Sequence, residues 1–331
     1  MRIVVDAHGG DNAPLEIIKG CCLAAEENKD LSILLVGRKN ELQQIIAENG
    51  IPGNRFEIVD APDVITMEDE PTSVLKEKQY SSMAVAFKLL KEDKADAFVS
   101  AGNSGAVLVG ATLLVKRIRG IKRAALGAVM PSTDGPYIML DCGANVECKP
   151  EYLDQFATMG SIYMKSCLKI ENPRVGLLNN GTEECKGPDL QQQAHQLLKN
   201  NPNINFIGNI EGRDVPLGGC DVVVADGFSG NITLKVSEGW GKLISKVLRD
   251  MLTKNLKSKL AALLIMSQVN DFRKKMDYKE YGGAPLLGIS KPVIKAHGSS
   301  DAKAFKNAIR QACVFAESGM IREIEEALAK E

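Results

Sequence analysis

Three residues sit where they can hold or move charge: Lys186, Asn231 and His297. Lys186 follows Asn180-Gly181-Thr182-Glu183-Glu184-Cys185 and precedes Gly187. An ammonium on a glycine loop beyond an apolar run can neutralise a phosphate, although taken singly such a lysine reads first as a solvated charge. Asn231 closes Asp226-Gly227-Phe228-Ser229-Gly230-Asn231, where its amide can donate to an oxyanion. His297 lies in Ile294-Lys295-Ala296-His297-Gly298-Ser299-Ser300-Asp301. A cation (Lys295), a ring donor and hydroxyls (Ser299 among them) ahead of a helix start make an anion seat. The plainer alternative is a helix cap with an incidental lysine and histidine.

Five apolar runs lead into loops of Asp, Asn, Ser and Gly that must position such groups. They are Ile3-Val4-Val5-Asp6 into Ala7-His8-Gly9-Gly10-Asp11-Asn12, Phe98-Val99-Ser100 into Ala101-Gly102-Asn103-Ser104-Gly105, and Ile138-Met139-Leu140-Asp141 into Cys142-Gly143-Ala144-Asn145. The fourth runs from Val175 through Asn179 into Asn180-Gly181-Thr182-Glu183, and the fifth from Val222 through Asp226 into Gly227-Phe228-Ser229-Gly230-Asn231. Loops at the carboxyl ends of parallel strands gather on one edge of a sheet, where ligands bind. One such loop reads as a tight turn. Five together predict one edge shaped for a phosphate-bearing ligand.

Between the loops, strand-like and helix-like runs alternate, which predicts a parallel sheet covered on both faces, an α/β three-layer αβα sandwich. Helices are expected at Pro14–Glu27, Lys39–Glu48, Ser82–Glu92, Ser104–Lys116, Glu151–Leu168 and Asp189–Asn200. Ala124–Met130 and Tyr137–Asp141 read as neighbouring strands joined by Pro131-Ser132-Thr133-Asp134-Gly135-Pro136. From Ile232 onward the chain reads as mostly helical, broken at Tyr281–Pro285 and by a loop at Lys295–Ser300. No composition break divides the chain, so residues 1–331 are expected to form one unit with a helical protrusion at about 250–280.

At 331 residues, 44% hydrophobic and 25% charged, the chain has the composition of a globular enzyme, and its net charge of -1 gives no global attraction to nucleic acid. The eight cysteines match no zinc or disulfide spacing, as expected of a reducing cytosol. No signal peptide and no membrane-spanning run is expected. Two basic patches stand out. Lys116, Arg117, Arg119, Lys122 and Arg123 can dock an acidic partner or simply be a solvated helix end. Lys254, Lys257, Lys259, Arg273, Lys274 and Lys275, against Asp271, flank the apolar run Leu260–Met266. Such a helix suits an anionic membrane surface or, equally, a buried position or a contact between subunits. His195, in the polar stretch Gln191-Gln192-Gln193-Ala194-His195, is expected at the surface. No dinucleotide fingerprint, P-loop, nucleophile elbow or H-E-x-x-H motif is present.

The stretch Asp6-Ala7-His8-Gly9-Gly10-Asp11-Asn12-Ala13-Pro14 closely resembles the N-terminal motif of bacterial acyl-carrier-protein:phosphate acyltransferases of phospholipid synthesis. The resemblance continues through Ser100–Ala106, Asp141–Asn145, Gly176–Asn179, Gly181–Glu183, Asn205–Asn209, Asp226–Asn231, Tyr281–Ala284 and Ile294–Asp301, nearly the whole chain. One departure is His8, where the family usually has Met, which argues against His8 as a catalytic group. The resemblance implies a fold like that of phosphotransacetylases and isopropylmalate dehydrogenases. It also implies a homodimer and attachment to the inner face of the cell membrane. The implied reaction takes acyl-acyl carrier protein and orthophosphate to acyl phosphate, consumed downstream by a glycerol-3-phosphate acyltransferase, with no cofactor and no metal. On this reading Lys186, Asn231 and His297 are expected to do the chemistry. Lys295 and Ser299 complete the seat. Asp6 and Asp141 orient the donors, and Gly9, Gly10, Asp11, Asn103, Ser104, Gly105 and Asn145 line the cleft. The rivals are a phosphotransacetylase using acyl-CoA and a membrane scaffold without catalysis.

Overall fold

The computed structural model describes residues 1–269 and 281–329. The chain builds two sheets. The first half supplies β1 (Arg2–Asp6), α1 (Leu15–Glu27), β2 (Ser32–Gly37), α2 (Lys39–Glu48), β3 (Phe56–Asp60), α3 (Ser82–Lys91), β4 (Ala97–Ser100) and α4 (Ser104–Gly110). The middle supplies β5 (Ala125–Leu126), β6 (Ala128–Pro131), β7 (Pro136–Leu140), α5 (Pro150–Leu168), β8 (Arg174–Asn179), α6 (Asp189–Asn200), β9 (Asn205–Glu211) and β10 (Val222–Val224). The remainder gives α7 (Gly227–Thr253), α8 (Leu256–Leu264), β11 (Gly283–Leu287), β12 (Val293–Ala296), α9 (Ala302–Glu317) and a last helix, Met320–Leu328.

Seven strands in the order β3-β2-β1-β4-β12-β11-β5 form one sheet, and five in the order β6-β7-β10-β8-β9 form the other. Both are parallel except at one side, where β11 runs antiparallel to its neighbours β12 and β5, and β6 runs antiparallel to β7. The apolar runs are continuous because these strands are covered on both faces. Ile3 and Val5 of β1 face α1 and α9, whereas Val4 faces the core under α3 and α4. There Phe87 stacks on Phe98 with ring centroids 4.1 Å apart. In the smaller sheet Ile138, Leu140, Val222 and Val224 pack on Phe156 and Met159 of α5 in the same core that underlies the larger sheet. Met139 and Val223 face a separate cluster around Ile210 and Val215.

Three expectations need correction. The five loops lie on two sheets rather than on one edge: those after β1 and β4 belong to the larger sheet, those after β7, β8 and β10 to the smaller. The strand expected at Ala124–Met130 is two strands that part at Gly127 and join different sheets. A side chain at Gly127 would meet Ile138 Cδ1 at 2.9 Å, so the chain crosses there on its one residue without a side chain. Beyond Ile232, β11 and β12 are strands; Lys295 sits in β12, paired with Ser100 of β4, and not in a loop. Both strands are short, and β11 carries Gly283 and Pro285, which hides their period from sequence reading. Asp271, Arg273, Lys274 and Lys275 of the second basic patch lie outside the described residues.

Candidate active site

Asp6 ends β1 fully inside the larger sheet. Its carboxylate accepts from Ser82 Oγ at 2.5 Å, Ser100 Oγ at 2.7 Å and the His8 backbone N–H at 3.3 Å. Burial raises the Asp6 pKa, with these donors opposing it. A Cβ at Gly9 would stand 2.6 Å from Asp6 Oδ2, so only glycine passes here. Gly10, at φ +105°, lets the loop turn back. The Asp11 N–H then donates to Gly298 O at 2.8 Å, while Asn12 Nδ2 reaches the Ser299 and Ser300 carbonyls. The β1 loop is therefore clasped to the loop after β12. His8 turns away, accepting from the Arg38 N–H at 3.1 Å through Nε2.

Lys295 is 7% exposed. Its ammonium donates to Ala296 O at 2.6 Å and reaches Ala101 O at 3.4 Å. Burial lowers its pKa to about 8, against the pull of Asp6 and Asp11. Two residues on, Ser299 Oγ lies 2.9 Å from His297 Nδ1, to which the Ser299 N–H also donates at 3.2 Å. A backbone donor on Nδ1 leaves the proton of the neutral ring on Nε2. Burial lowers the His297 pKa; Glu238 opposes this, and Lys235, Lys295 and Lys242 reinforce it. The ring thus favours its neutral form, with its proton on Nε2.

The smaller sheet supplies the facing wall. Asp141, fully buried after β7, accepts from the backbone N–H groups of Leu126 (2.9 Å), Ala144 (3.2 Å) and Asn145 (2.6 Å) and from Asn145 Nδ2 (2.9 Å). Asn145 Nδ2 also reaches Ala124 O at 2.7 Å, and its carbonyl accepts from the Gly227 N–H at 2.8 Å. Asp226 caps α7 through the Ser229 N–H at 2.8 Å, which sets the register of Asn231 on the first turn. Asn231 lies over Gly143, whose Cβ position is 3.5 Å from Asn231 Cγ. A small cavity of about 60 Å³ is lined by Ser104 and Gly105 of one sheet's loops, Gly143 and Ala144 of the other's, and Lys295. The loops therefore meet across a cleft between the sheets. Asn103 caps α4 through the Ala106 N–H at 3.0 Å and ties down Thr66, Met67 and Asp69 carbonyls through Nδ2, so it braces this wall.

Lys186 is exposed on the loop after β8, its stem lying on Gly181, where a Cβ would sit 2.9 Å from Lys186 Cγ. The structure therefore groups the candidates in two sets, with Asp6, Gly9, Gly10, Asp11, Lys295, His297 and Ser299 on one side and Asp141, Asn145 and Asn231 on the other. Lys186 stands on the loop after β8, the strand neighbouring β10 in the second set's sheet. Two charged residues escaped sequence reading, Lys235 and Glu238 of α7, whose side chains pair at 3.0 Å. Their i,i+3 spacing four residues after Asn231 was the available signal. His195 is buried, at 3% exposure, contrary to the expected surface position, because it faces inward from α6 with Ala194 and Leu198 and meets Phe206 edge-on. Buried cations, amide donors and paired hydroxyls at a cleft can hold an anionic oxygen while charge develops on a second one.

A family model described as "Fatty acid synthesis protein" matches residues 1–323. The phosphate acyltransferase of Thermoanaerobacterium thermosaccharolyticum is 49% identical over 325 residues, 98% of this chain and 96% of that protein. That of Caldanaerobacter subterraneus subsp. tengcongensis is 47% identical over 328 residues, 99% of this chain and 97% of that one. Among solved structures, a phosphotransacetylase from Streptococcus pyogenes aligns with a TM-score of 0.66 at 17% identity, covering 96% of this chain and 94% of that chain. EutD phosphotransacetylase from Staphylococcus aureus aligns at 0.62 and 17%, covering 95% and 94%. At this identity the structural likeness concerns the fold alone, which is the α/β fold expected from the sequence.

Proposed function

The chain belongs to the fatty acid synthesis protein family of phosphate acyltransferases, and from that premise we propose that it moves an acyl group from acyl-acyl carrier protein to orthophosphate, yielding acyl phosphate for glycerophospholipid synthesis. The observation that carries the reading is the cleft itself. Lys295 of the larger sheet shares a cavity with Gly143 and Ala144 of the smaller sheet's Asp141–Asn145 loop, Asn231 lies over Gly143, and His297 lies within electrostatic reach of Lys235 and Glu238 of α7; a two-anion reaction needs donors on both sides. The basic strip supports an acidic carrier as donor. Lys116, Arg117, Arg119, Lys122 and Arg123 are all exposed, and the next residue, Ala124, accepts from Asn145 at the cleft wall. The test is thiol release from palmitoyl-acyl carrier protein with and without orthophosphate, with acetyl-CoA alongside. Release only from the carrier substrate, and only with phosphate, is expected. Release from acetyl-CoA would favour the phosphotransacetylase reading, and release from neither the scaffold.

On this reading a phosphate oxygen attacks the thioester carbon, the carbonyl oxygen becomes an oxyanion, and the C–S bond breaks as the carbonyl re-forms. The thiolate takes up a proton. A thiol of pKa about 8.5 leaves readily, so a hydrogen bond to sulfur helps without being decisive. Lys186 is assigned to phosphate and transition-state charge, Asn231 to the oxyanion, Lys295 to the seated phosphate, and His297 Nε2–H to the departing sulfur. Gly9, Gly10, Asp11, Ser104, Gly105 and Ser299 shape the walls, while Asp6, Asp141, Asn103 and Asn145 hold the donors in place.

Lys295 supplies a pH prediction. Its pKa is depressed to about 8, so the ammonium is present below that pH and is lost as pH rises through it. kcat/KM for phosphate should therefore fall on the alkaline side with an apparent pKa near 8. A profile flat through pH 9.5 would remove the Lys295 charge from the reaction, a value judged on the order of the shift itself.

Partner surfaces are proposed on α7 and α8. Ile232, Val236, Trp240, Val247 and Met251 form an exposed apolar stripe along α7. It borders a groove of about 1120 Å³ and supports a homodimer; light scattering giving the mass of one chain would oppose it. On α8, Leu256, Leu260, Leu263 and Leu264 are exposed beside Lys257 and Lys259, and no helix among the described residues is long and apolar enough to cross a membrane. This supports peripheral attachment to an anionic membrane surface, with the product handed to a downstream glycerol-3-phosphate acyltransferase. Leu260→Glu with Leu264→Glu should abolish sedimentation with anionic vesicles while leaving carrier-protein turnover in solution intact; undiminished sedimentation would discard α8 as the anchor.

A further inference from the structure

Lys186 is exposed on a long flexible stem, yet its loop is held by side chains from α6, β8 and β9. The Lys186 N–H donates to Glu183 O at 3.0 Å, and that carbonyl also accepts from Asn209 Nδ2 on β9 at 2.8 Å. Asn209 Oδ1 in turn meets His195 Nδ1 of α6 at 3.0 Å. Because the Asn209 amide spends its N–H on Glu183, its oxygen must accept, and His195 must donate from Nδ1. One turn away on the same helix, Gln192 Nε2 donates to Gly187 O at 2.9 Å, on the other side of Lys186. Asn179 closes the loop from β8, donating from Nδ2 to Lys186 O at 3.1 Å.

The same helix also reaches the Asn231 loop. Gln191 Nε2 lies 3.3 Å from Asp226 Oδ2, the carboxylate that caps α7 and sets the first turn carrying Asn231. Gln191 and His195 are one turn apart, and both are buried. Among the described residues the buried Gln191 Oε1 has no hydrogen-bond partner. A buried unpaired acceptor costs stability, so a residue chosen for stability alone would be apolar here.

We propose that α6, through Gln191, Gln192 and the His195–Asn209 pair, is the positioning device that fixes the Lys186 loop relative to the first turn of α7, and so Lys186 relative to Asn231. It rests on the reading that Lys186 acts on phosphate. These are positioning residues: none needs to touch substrate. His195 acts here as a donor from Nδ1. Its other nitrogen faces Glu184 Oε1 at 3.7 Å, and Glu184 is itself engaged by Lys199 at 2.7 Å.

Two variants separate positioning from mere stability. Asn209→Leu cuts the link to Glu183 O, and Gln191→Leu removes both the Asp226 contact and the unpaired oxygen. With palmitoyl-acyl carrier protein as donor and inorganic phosphate varied, each should lower kcat/KM for phosphate roughly ten- to hundredfold, the usual cost of a displaced group. Gln191→Leu should melt no lower than the parent. Deuterium exchange over residues 180–187 should quicken in Asn209→Leu. His195→Asn, which keeps a donor at the Nδ1 position, should retain activity better than His195→Gln, which moves it to the Nε2 position. Parental kinetics together with unchanged loop exchange would overturn the proposal, as would losses that follow the unfolded fraction. Lys186→Ala is the separating control: if it alone is fully active, the reading of Lys186 fails, while the exchange data still report on positioning.

Discussion

Lys186→Ala should lower turnover by roughly two to three orders of magnitude, the usual cost of deleting one preorganised donor to a developing anion. Thermal stability should scarcely change. The side chain is exposed, and what holds its loop is backbone and neighbouring amides: the Lys186 N–H on Glu183 O, Asn179 on Lys186 O and Gln192 on Gly187 O. Alanine keeps all of these. The effect should appear in kcat more than in KM for phosphate, because the second negative charge arises only as the oxyanion forms. Lys186→Arg keeps the charge but not the point-like ammonium, so it should recover part of the loss. Steady-state kinetics beside a melting curve decide the matter: full turnover in the alanine variant takes Lys186 out of the mechanism.

Asp141→Ala should instead damage the protein itself. The carboxylate is fully buried and receives four hydrogen bonds, three from backbone N–H groups and one from Asn145 Nδ2. Alanine removes the acceptor from these half-buried donors, of which Asn145 Nδ2 keeps its bond to Ala124 O, and each donor left unpaired costs about 1–3 kcal/mol. With partial rearrangement, a total loss of about 3–5 kcal/mol is expected, large beside the stability of most domains. The Leu126 bond matters most for architecture, since it fastens β5 of the larger sheet to a loop of the smaller one. Activity per folded molecule should also fall, because the Gly143 turn beneath Asn231 is built on this carboxylate. Asp141→Asn keeps one acceptor oxygen and should lie between. Denaturant unfolding that shows a loss below 1 kcal/mol for the alanine variant would mean the loop repairs its own donors, an estimate on the scale of one net hydrogen bond.

Most of the candidate site was legible because it is written in local code. A buried apolar strand ending in Asp, then Gly and Asn, announces itself without knowledge of the fold, and Asp6, Asp141 and Asp226 all turned out to brace the loops they begin. What was illegible is what depends on distant partners. His195 lies in a stretch of glutamines and looks solvated; only Phe206 and Asn209, brought in by β9, bury it. Lys295 looked like a loop cation because Val293–Ala296 is four residues long, and its strand character comes from pairing with β4 nearly two hundred residues earlier. Gly127 could not announce a change of sheet, since a glycine within a β-like run also fits a bulge. Lys235 and Glu238 read as ordinary helix-surface charges until α7 is placed against the β12 loop.

The position of β12 has a consequence for how the chain is made. It fills the slot between β4 and β11 in the larger sheet, so β4 keeps a bare hydrogen-bonding edge until residues near 296 have left the ribosome. Almost nine-tenths of the polypeptide must wait, exposed to wrong pairing, for a tetrapeptide that also carries Lys295. Closing the sheet and delivering the buried ammonium are therefore one event. A nascent chain cannot finish this sheet without acquiring its anion seat, and an abortive product ending before Val293 would have neither.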